Sequence, residues 1–457
     1  MEISSSTQQQ DLKSEVFFEE LRKRDFSRLE ENQQVYFDYT GGNLYPESLL
    51  KEHYDFLSKN VLGNPHSTNP TSKLATQMVE EARKKVLEYF NASEDYFCIF
   101  TANASNALKI VGECYPFNEK SQLLLFADNH NSVNGLREFC KSKKGTFQYC
   151  PMYYEDLRID ETKLSELLHN KLDFENKLLA FPAQSNVSGV KHDLNWIKKA
   201  QDLSWDVLLD AAAFVPTSKL DLKEYPANFV SISFYKIFGF PTGIGCLFVR
   251  KDTFNKLHKP WFAGGTVSFA AVNEPLHKLN TNHERFEDGT INYLQIPAIK
   301  NGLDYIENIG MVNINKRVEK HTQFILSHFA NLKHTNSNPL VAVYGPKDTQ
   351  SRGGTIIFNV LDKDGKNIPF YEVEAKANEK NISIRTGCFC NPGIDEVNNC
   401  ISNEELSKYY SAKEGANFLE MINYLGKMRG AVRISVGFVT NQSDLQNLIH
   451  FIESFRA

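Results

Sequence analysis

The chain has 457 residues, of which 41% are hydrophobic and 23% are charged, and its formal net charge is −5. This composition is typical of a soluble globular protein and excludes a mainly disordered or collagen-like chain. The slightly acidic balance gives no reason to expect nucleic acid or an anionic membrane surface as a partner. No apolar run approaches the roughly 20 residues that cross a bilayer.

The N-terminus and the cysteines indicate the compartment. The first residues lack the basic stretch and the following apolar stretch of a secretory signal. The eight cysteines form no CxxC pair and are not accompanied by the histidine spacing of a zinc site. We therefore expect free thiols, no metal site and a cytoplasmic location.

Short apolar runs and helix-length segments alternate through the first two thirds of the chain. Residues 73–90 place apolar side chains on one face and charges on the other, which predicts a helix. Near-continuous apolar strands between helices are typical of a mainly parallel sheet covered on both faces. The seven predicted strands are 96–101, 122–127, 146–152, 177–183, 206–210, 229–234 and 245–250.

The pattern changes after about residue 310, where the connections become longer. Helices are predicted at 311–333, near 369–380 and from Asn441 or Ser443 onward. Strands are predicted at 340–344, 355–361, 381–385 and 431–438. We expect three parts: an N-terminal segment (1–35) that packs with the small domain, a large domain (36–310), and a small α+β C-terminal domain (311–457).

Polar residues follow the ends of successive predicted strands, where ligands bind in open α/β sheets. After 96–101, small and hydroxyl residues lead into a helix whose N-terminus suits a phosphate. Ordinary N-capping by Ser105 or Asn106 is the alternative explanation there. Taken singly, each of the later residues also has a structural explanation. The later strands end close to His130, Asn186, Asp210 and Lys236.

Together these groups match the needs of pyridoxal 5′-phosphate. A lysine forms the Schiff base with this cofactor, and a carboxylate keeps its pyridine nitrogen protonated. The glycines at 239, 243 and 245 form neither a dinucleotide fingerprint nor a P-loop, which argues against NAD and ATP. The sequence therefore predicts a pyridoxal phosphate site with Lys236 as the reacting lysine.

The segment 381–393, NISIRTGCFCNPG, supplies a second set of reactive groups. Arg385 suits a substrate carboxylate because a guanidinium binds it through two parallel hydrogen bonds. Cys388 and Cys390 lie in a turn flanked by glycines, and a nearby guanidinium favours a thiolate. A surface loop with two inert thiols, or a CxC metal clip, is the alternative.

Ten blocks of the sequence resemble the class V, fold-type I pyridoxal-phosphate enzymes of the cysteine desulfurase group. Within this group the chain is most similar to the desulfurase-like N-terminal domain of molybdenum cofactor sulfurases. The resemblance implies a large domain with a mainly parallel seven-stranded sheet and a smaller α+β domain. The blocks are YFDYTGG, GNPHS, FTANASNALKIV, DNHNSV, FPAQSNVSG, VLLDAAAFV, SFYKIFGFPTG, RFEDGTI, RTGCFCNPG and VRISVGF.

The resemblance also implies roles for individual residues. The catalytic set would be the Schiff-base lysine, the nucleophile that receives sulfur and the histidine that stacks on the ring: Lys236, Cys390 and His130. Asp210 would pair with the pyridine nitrogen, while Asn186 would touch the ring oxygen or the substrate. Ala213 stands where desulfurases usually have glutamine, so one hydrogen bond to the ring oxygen is lost. The phosphate would be held by Ala104, Ser105, Ser233 and Tyr235, and by Thr290 of a second subunit. The substrate would be bound by Arg385, with Arg433 lining the site.

The activity that the resemblance implies is sulfur transfer by a homodimer. L-Cysteine would be converted to alanine, and Cys390 would carry a persulfide to an acceptor protein. The molybdenum-cofactor-binding module of full-length sulfurases is not part of these 457 residues. The alternatives are another class V reaction, namely a C–S lyase, a selenocysteine lyase or an aminotransferase, and a non-catalytic scaffold. Cys390 is dispensable in the other class V reactions.

Overall fold

The computed structural model describes residues 5–169, 173–412, 418–427 and 429–457. Two short 3₁₀ segments occur at Phe254–Lys256 and His283–Phe286. The strands are β1 (Val35–Tyr36), β2 (Tyr96–Thr101), β3 (Ser121–Phe126), β4 (Thr146–Cys150), β5 (Asn176–Pro182), β6 (Asp206–Asp210), β7 (Phe229–Ser233), β8 (Gly245–Arg250), β9 (Val267–Ala270), β10 (His277–Leu279), β11 (Val341–Tyr344), β12 (Thr355–Val360), β13 (Ile382–Ser383), β14 (Arg385–Gly387) and β15 (Ala431–Ser435). The helices are α1 (Ser5–Asp25), α2 (Arg28–Glu31), α3 (Glu47–Lys59), α4 (Pro70–Tyr89), α5 (Ala104–Cys114), α6 (Asn131–Asn134), α7 (Leu136–Ser142), α8 (Glu161–Leu168), α9 (Trp196–Asp202), α10 (Tyr235–Phe238), α11 (Pro297–Ile309), α12 (Met311–Asn331), α13 (Phe370–Glu379), α14 (Pro392–Asn398), α15 (Asn403–Ala412), α16 (Phe418–Leu425) and α17 (Gln442–Glu453).

The large sheet has seven strands in the order β2-β8-β7-β6-β5-β3-β4. Strands β3 to β7 pair in parallel, and β8 runs antiparallel to both of its neighbours. The strands β3, β6 and β7 are buried along their whole length, which explains their continuous apolar sequences. All seven predicted strands are confirmed, and the carboxyl ends of β2, β3, β5, β6 and β7 meet at one edge.

The predicted helix 73–90 is confirmed as α4, although it begins at Pro70. The Asn69 side chain accepts a hydrogen bond from the Ser72 backbone N–H, and proline occupies the first turn. The buried face carries Ala75, Val79, Ala82 and Val86. This face packs against α11, a helix that the sequence analysis did not predict.

The smaller sheet is antiparallel in the order β11-β12-β15-β14. The prediction of one strand at 381–385 was wrong. The chain changes partner within this segment, because β13 pairs with β1 while β14 pairs with β15. The last helix is confirmed: Asn441 caps α17 and exchanges hydrogen bonds with Asp444.

The N-terminal segment contacts residues beyond position 310. The Arg22 guanidinium pairs with Asp444 at 2.5 Å, and Arg317 pairs with Glu15 at 2.6 Å. The backbone N–H of Val35 donates to the Asn381 carbonyl oxygen. Among the described residues, no helix has the length and apolarity needed to cross a membrane.

Candidate active site

A cavity lies at the edge of the large sheet where the carboxyl ends of the strands meet. Its lining comes from the segments that follow β2, β3, β5, β6 and β7. Eight of the twelve predicted site residues line it, and four do not. The eight are Ala104, Ser105, His130, Asn186, Asp210, Ser233, Tyr235 and Lys236.

One end of the cavity is the N-terminus of α5. The helix is capped by Asn103, whose side chain accepts a hydrogen bond from the Asn106 backbone N–H, so Ser105 is not the cap. The Ala104 N–H donates to Ser233 Oγ at 2.8 Å, and the hydroxyls of Ser105 and Ser132 are 2.6 Å apart. The hydroxyls and the positive end of the helix dipole favour an anion here.

Lys236 and Asp210 come from neighbouring strands. Lys236 lies on the short helix α10 directly after β7, and Asp210 is the last residue of β6. Burial lowers the pKa of Lys236, and Asp210 partly opposes this shift. Asp210 Oδ1 accepts hydrogen bonds from the Ala212 N–H and the Ser231 hydroxyl. The lowered pKa makes the neutral, nucleophilic form of the Lys236 amine more accessible.

The His130 ring is held in one tautomer. Its Nδ1 accepts a hydrogen bond from the Ser132 backbone N–H at 3.1 Å, so the proton of the neutral ring lies on Nε2. Burial lowers the pKa of His130, and the charge of Lys236 lowers it further, while Asp210 opposes. His130 therefore offers a neutral aromatic ring to the cavity.

The turn that carries Cys388 and Cys390, here called the cysteine turn, contacts the same edge of the large sheet. The Cys390 carbonyl oxygen accepts a hydrogen bond from the Asn131 N–H at 2.7 Å, next to His130. The Phe389 carbonyl oxygen accepts one from Asn186 Nδ2 at 2.9 Å. This contact occupies the amide that we expected to touch the ring oxygen or the substrate.

The two thiols of this turn differ. Cys390 is exposed, whereas Cys388 is partly buried. Burial raises the pKa of the Cys388 thiol well above its usual range, and the nearby Asp395 raises it further. A thiolate at Cys388 is therefore disfavoured, which leaves Cys390 as the better nucleophile of the pair.

Asn391 adds a third attachment of the cysteine turn. It is fully buried, and its Nδ2 donates to the Asp128 carbonyl oxygen at 2.6 Å and to Asn186 Oδ1 at 3.1 Å. We call the hydrogen bonds made by Asn131, Asn186 and Asn391 the docking network. The sequence analysis missed Asn131 and Asn391, although both lie in the resemblance blocks beside His130 and Cys390.

Arg385 and Arg433 meet at a carboxylate that the sequence analysis also missed. Asp38 Oδ2 accepts hydrogen bonds from Arg385, and Asp38 Oδ1 accepts one from Arg433. Arg433 is buried and also donates to the Asn186 carbonyl oxygen at 2.9 Å. Neither arginine lines the cavity itself. Asp38 lies in the block YFDYTGG, which was the available indication.

Gln184 is a further residue of the cavity that was not predicted. It lies in the lining together with Ala213, the position that lacks the expected glutamine. Its Oε1 is buried and has no hydrogen-bond partner among the described residues. A buried amide left in this state is suited to a polar ligand.

Thr290 lies outside the cavity. It is exposed, and its hydroxyl accepts a hydrogen bond from Asn64 Nδ2 at 3.3 Å. The expectation that Thr290 reaches the phosphate of a second subunit stays a prediction.

The sheet order, with a lysine after one strand and an aspartate at the end of its neighbour, defines the fold of the fold-type I pyridoxal-phosphate-dependent transferases. The predicted fold class is thereby confirmed. The model of the aminotransferase class-V family matches residues 35–448, and the chain belongs to this family.

Three known proteins are similar to this chain. The chain is 38% identical to human molybdenum cofactor sulfurase over 457 residues, covering 95% of this chain and 51% of the relative. It is 34% identical to the Arabidopsis thaliana protein of the same name, with 95% and 58% covered. The chain thus spans little more than half of these relatives. Among solved structures, a cysteine desulfurase from Thermococcus onnurineus has a similar fold, with a TM-score of 0.79, 23% identity, and 95% and 97% of the two chains covered.

Proposed function

We propose that this chain is a pyridoxal-phosphate-dependent cysteine desulfurase or sulfurase that forms alanine and a persulfide on Cys390. One observation carries the proposal. The docking network holds the exposed Cys390 beside His130, at the edge of a cavity that contains Lys236 and Asp210. The similarity to molybdenum cofactor sulfurases supports the same chemistry.

The cavity residues fit pyridoxal phosphate. The N-terminus of α5 and the hydroxyls of Ser105 and Ser233 would hold the phosphate, and Asp210 would pair with the pyridine nitrogen. Gln184, whose Oε1 has no hydrogen-bond partner in the part of the chain that the structure describes, would offer its amide to the ring substituents in place of the side chain missing at Ala213. When bound, this cofactor accepts the electrons released at the substrate Cα.

The protein residues divide the remaining work. Arg385 would bind the substrate carboxylate, and Lys236 Nζ would remove the proton from the substrate Cα. The lowered pKa of Lys236 suits this role, because a general base must be unprotonated near working pH. The neutral His130 ring, whose Nδ1 is held by the Ser132 N–H, would stack on the cofactor ring.

The Cys390 thiolate would then attack the substrate sulfur. A sulfur–sulfur bond forms as the carbon–sulfur bond of cysteine breaks, and the carbon skeleton leaves as alanine after protonation. L-Cysteine and the Cys390 thiol together give alanine and a Cys390 persulfide, so no external oxidant or reductant is consumed. Transfer to an acceptor protein then regenerates the thiol.

We also propose that the protein is a cytoplasmic homodimer. The strand pair β9–β10 and its turn expose Phe269 (59%), Val272 (98%) and Leu276 (61%), an apolar set that suits contact with a second copy. Thr290 is exposed as well and would complete the phosphate site of the other subunit. The eight free cysteines are consistent with a reducing compartment. The division into residues 1–35, 36–310 and 311–457 belongs to the same proposal.

The test is to add L-cysteine to purified, cofactor-loaded protein and to measure alanine, sulfide and bound persulfide. We expect alanine in step with a persulfide on Cys390 that a reductant removes. Cys390→Ala should keep the cofactor absorbance and form no persulfide, whereas Cys388→Ala, the matched control, should retain most of the activity.

Full alanine formation by Cys390→Ala would overturn the proposal and favour a lyase. An α-keto acid without sulfide would instead indicate an aminotransferase. A normal cofactor absorbance that no tested amino acid changes would favour the non-catalytic scaffold.

A further inference from the structure

Asp38 lies between the two arginines of the predicted substrate site. Its Oδ2 accepts hydrogen bonds from Nε and Nη2 of Arg385 at 2.9 and 2.6 Å. Its Oδ1 accepts one from Nη2 of Arg433 at 2.6 Å. Two guanidinium charges share one carboxylate, so one positive charge is left for a substrate anion.

The contact with Asp38 uses only one edge of the Arg385 guanidinium. Nη1, and the N–H of Nη2 that points away from Nε, form the end of the group. Nη1 makes no hydrogen bond to the described part of the chain. This end is the pair of parallel donors that binds a carboxylate. The Arg385 side chain is 52% exposed, against 3% for Arg433, so a small ligand can reach Arg385.

The Asp38 side chain is itself held in place by Arg433 and fits into the space beside Gly41. Arg433 is buried, donates to Asp38 and also donates to the Asn186 carbonyl oxygen. Gly41 leaves room for the carboxylate, because a Cβ at that position would lie 2.3 Å from Asp38 Oδ2. Asp38 and Gly41 come from the same block, YFDYTGG, so one short segment supplies the carboxylate and the space it needs.

We propose that Asp38 is the positioning residue of the substrate carboxylate site. It fixes the rotation of the Arg385 guanidinium so that its end is presented to the ligand, and it offsets the buried charge of Arg433. The site is then suited to the single α-carboxylate of an amino acid. This inference rests on the proposed function only in taking an amino acid as the ligand.

Binding calorimetry on the cofactor-loaded protein tests the proposal with L-alanine and with L-alaninol, which lacks the carboxylate. In Asp38→Asn, L-alanine should bind roughly 10- to 100-fold more weakly, as expected when a hydrogen-bonded charged group loses its alignment, while L-alaninol binds as before. Asp38→Glu should restore part of the preference for L-alanine. An unchanged or tighter affinity of Asp38→Asn for L-alanine would overturn the proposal.

Two further variants separate positioning from folding. Asp25→Asn is the matched control, because Asp25 is a buried carboxylate that accepts hydrogen bonds from the Ser48 N–H and the Tyr305 hydroxyl, and it has no contact with Arg385. It should keep the full preference for L-alanine. In an Arg385→Ala background, Asp38→Asn should cause no further loss, since Asp38 acts through Arg385. Additive losses would contradict the proposal.

If Asp38→Asn does not fold, Asp38→Glu decides alone. Its longer side chain should misalign Arg385 and lower the L-alanine affinity relative to wild type, and an unchanged preference over L-alaninol would overturn the inference. Alanine formation from L-cysteine is measured separately. Its absence, together with carboxylate-dependent binding of L-alanine, would refute the desulfurase activity and support the role of Asp38.

Discussion

The cofactor region and the cysteine region of the site are held in different ways. In the cofactor region, Asp210 and Lys236 sit at the ends of neighbouring strands of one buried sheet. In the cysteine region, the Arg385 side chain and the turn that carries Cys390 are held by a few hydrogen bonds from distant parts of the chain. Asp38 and Arg385, for example, are 347 positions apart.

Because of this difference, the two regions should respond differently to single substitutions. The strands of a buried sheet are held by many cooperative hydrogen bonds and contacts. One substitution at the end of a strand therefore removes a reactive group but leaves the backbone of the sheet in place. The docking network consists of a few hydrogen bonds. They join the turn that follows β14 of the small sheet to the segments that follow β3 and β5 of the large sheet. Substitutions there should misplace the thiol while the cofactor remains bound.

In the cofactor region, the substitution with the largest expected effect is Lys236→Ala. It should abolish the Schiff-base absorbance and lower alanine formation by about 10³-fold, since both the attachment point and the general base are lost. Absorption spectra and amino-acid analysis measure both. Lys199→Ala, at an exposed lysine on α9, is the control and should behave as wild type. Alanine formation at the wild-type rate without Lys236 would contradict the assignment.

In the cysteine region, the substitution with the largest expected effect is Asn391→Ala. Two hydrogen bonds of the docking network are lost, so persulfide formation should slow by about 10- to 100-fold with an unchanged cofactor spectrum. Rapid quench and mass spectrometry of Cys390 follow the reaction. Asn399→Ala is the matched control, because the Asn399 side chain donates its hydrogen bonds within its own segment, to Asp395. Equal effects of both substitutions would mean that general destabilisation is the cause.

The charge balance of the cofactor region can be sharpened with Asp210→Asn. Asp210 raises the pKa of Lys236 against the lowering effect of burial, so removing its charge should lower this pKa further. The rate at which the apoprotein forms a Schiff base with added pyridoxal phosphate should then reach its midpoint at lower pH. Asp206→Asn, at the other end of β6, should leave the midpoint where it is. A move to higher pH would contradict the electrostatic assignment.

The smallest expected effect concerns Gln184. Gln184→Leu should weaken pyridoxal phosphate binding by about 3- to 10-fold, the contribution of one net hydrogen bond. Fluorescence titration of the apoprotein measures this affinity. Gln122→Leu is the matched control. Gln122 is also buried, and its Oε1 has no hydrogen-bond partner among the residues that the structure describes, but it lies in β3 and does not line the cavity. Unaltered affinity in Gln184→Leu would remove Gln184 from the cofactor site.

Much of the cofactor region could be predicted from the sequence. Near-continuous apolar runs identify buried parallel strands, and reactive residues directly after such strands must meet at one sheet edge. His130, Asp210 and Lys236 were found in this way, and all three line the cavity. The segment 381–385 was wrongly predicted as one strand. No local sequence pattern shows that the chain leaves one sheet after two residues and joins another.

The sequence by itself determined the seven strands of the large sheet, the position of the lysine after one of them and the presence of an arginine and two cysteines in one segment. The tertiary structure alone decided that Asp38 joins Arg385 to Arg433, that Asn186 holds the cysteine turn, and that Cys390 is exposed while Cys388 is not. The physical reason is range. Strand patterns and strand ends follow from neighbouring residues, whereas these hydrogen bonds join residues that only the packed chain brings together.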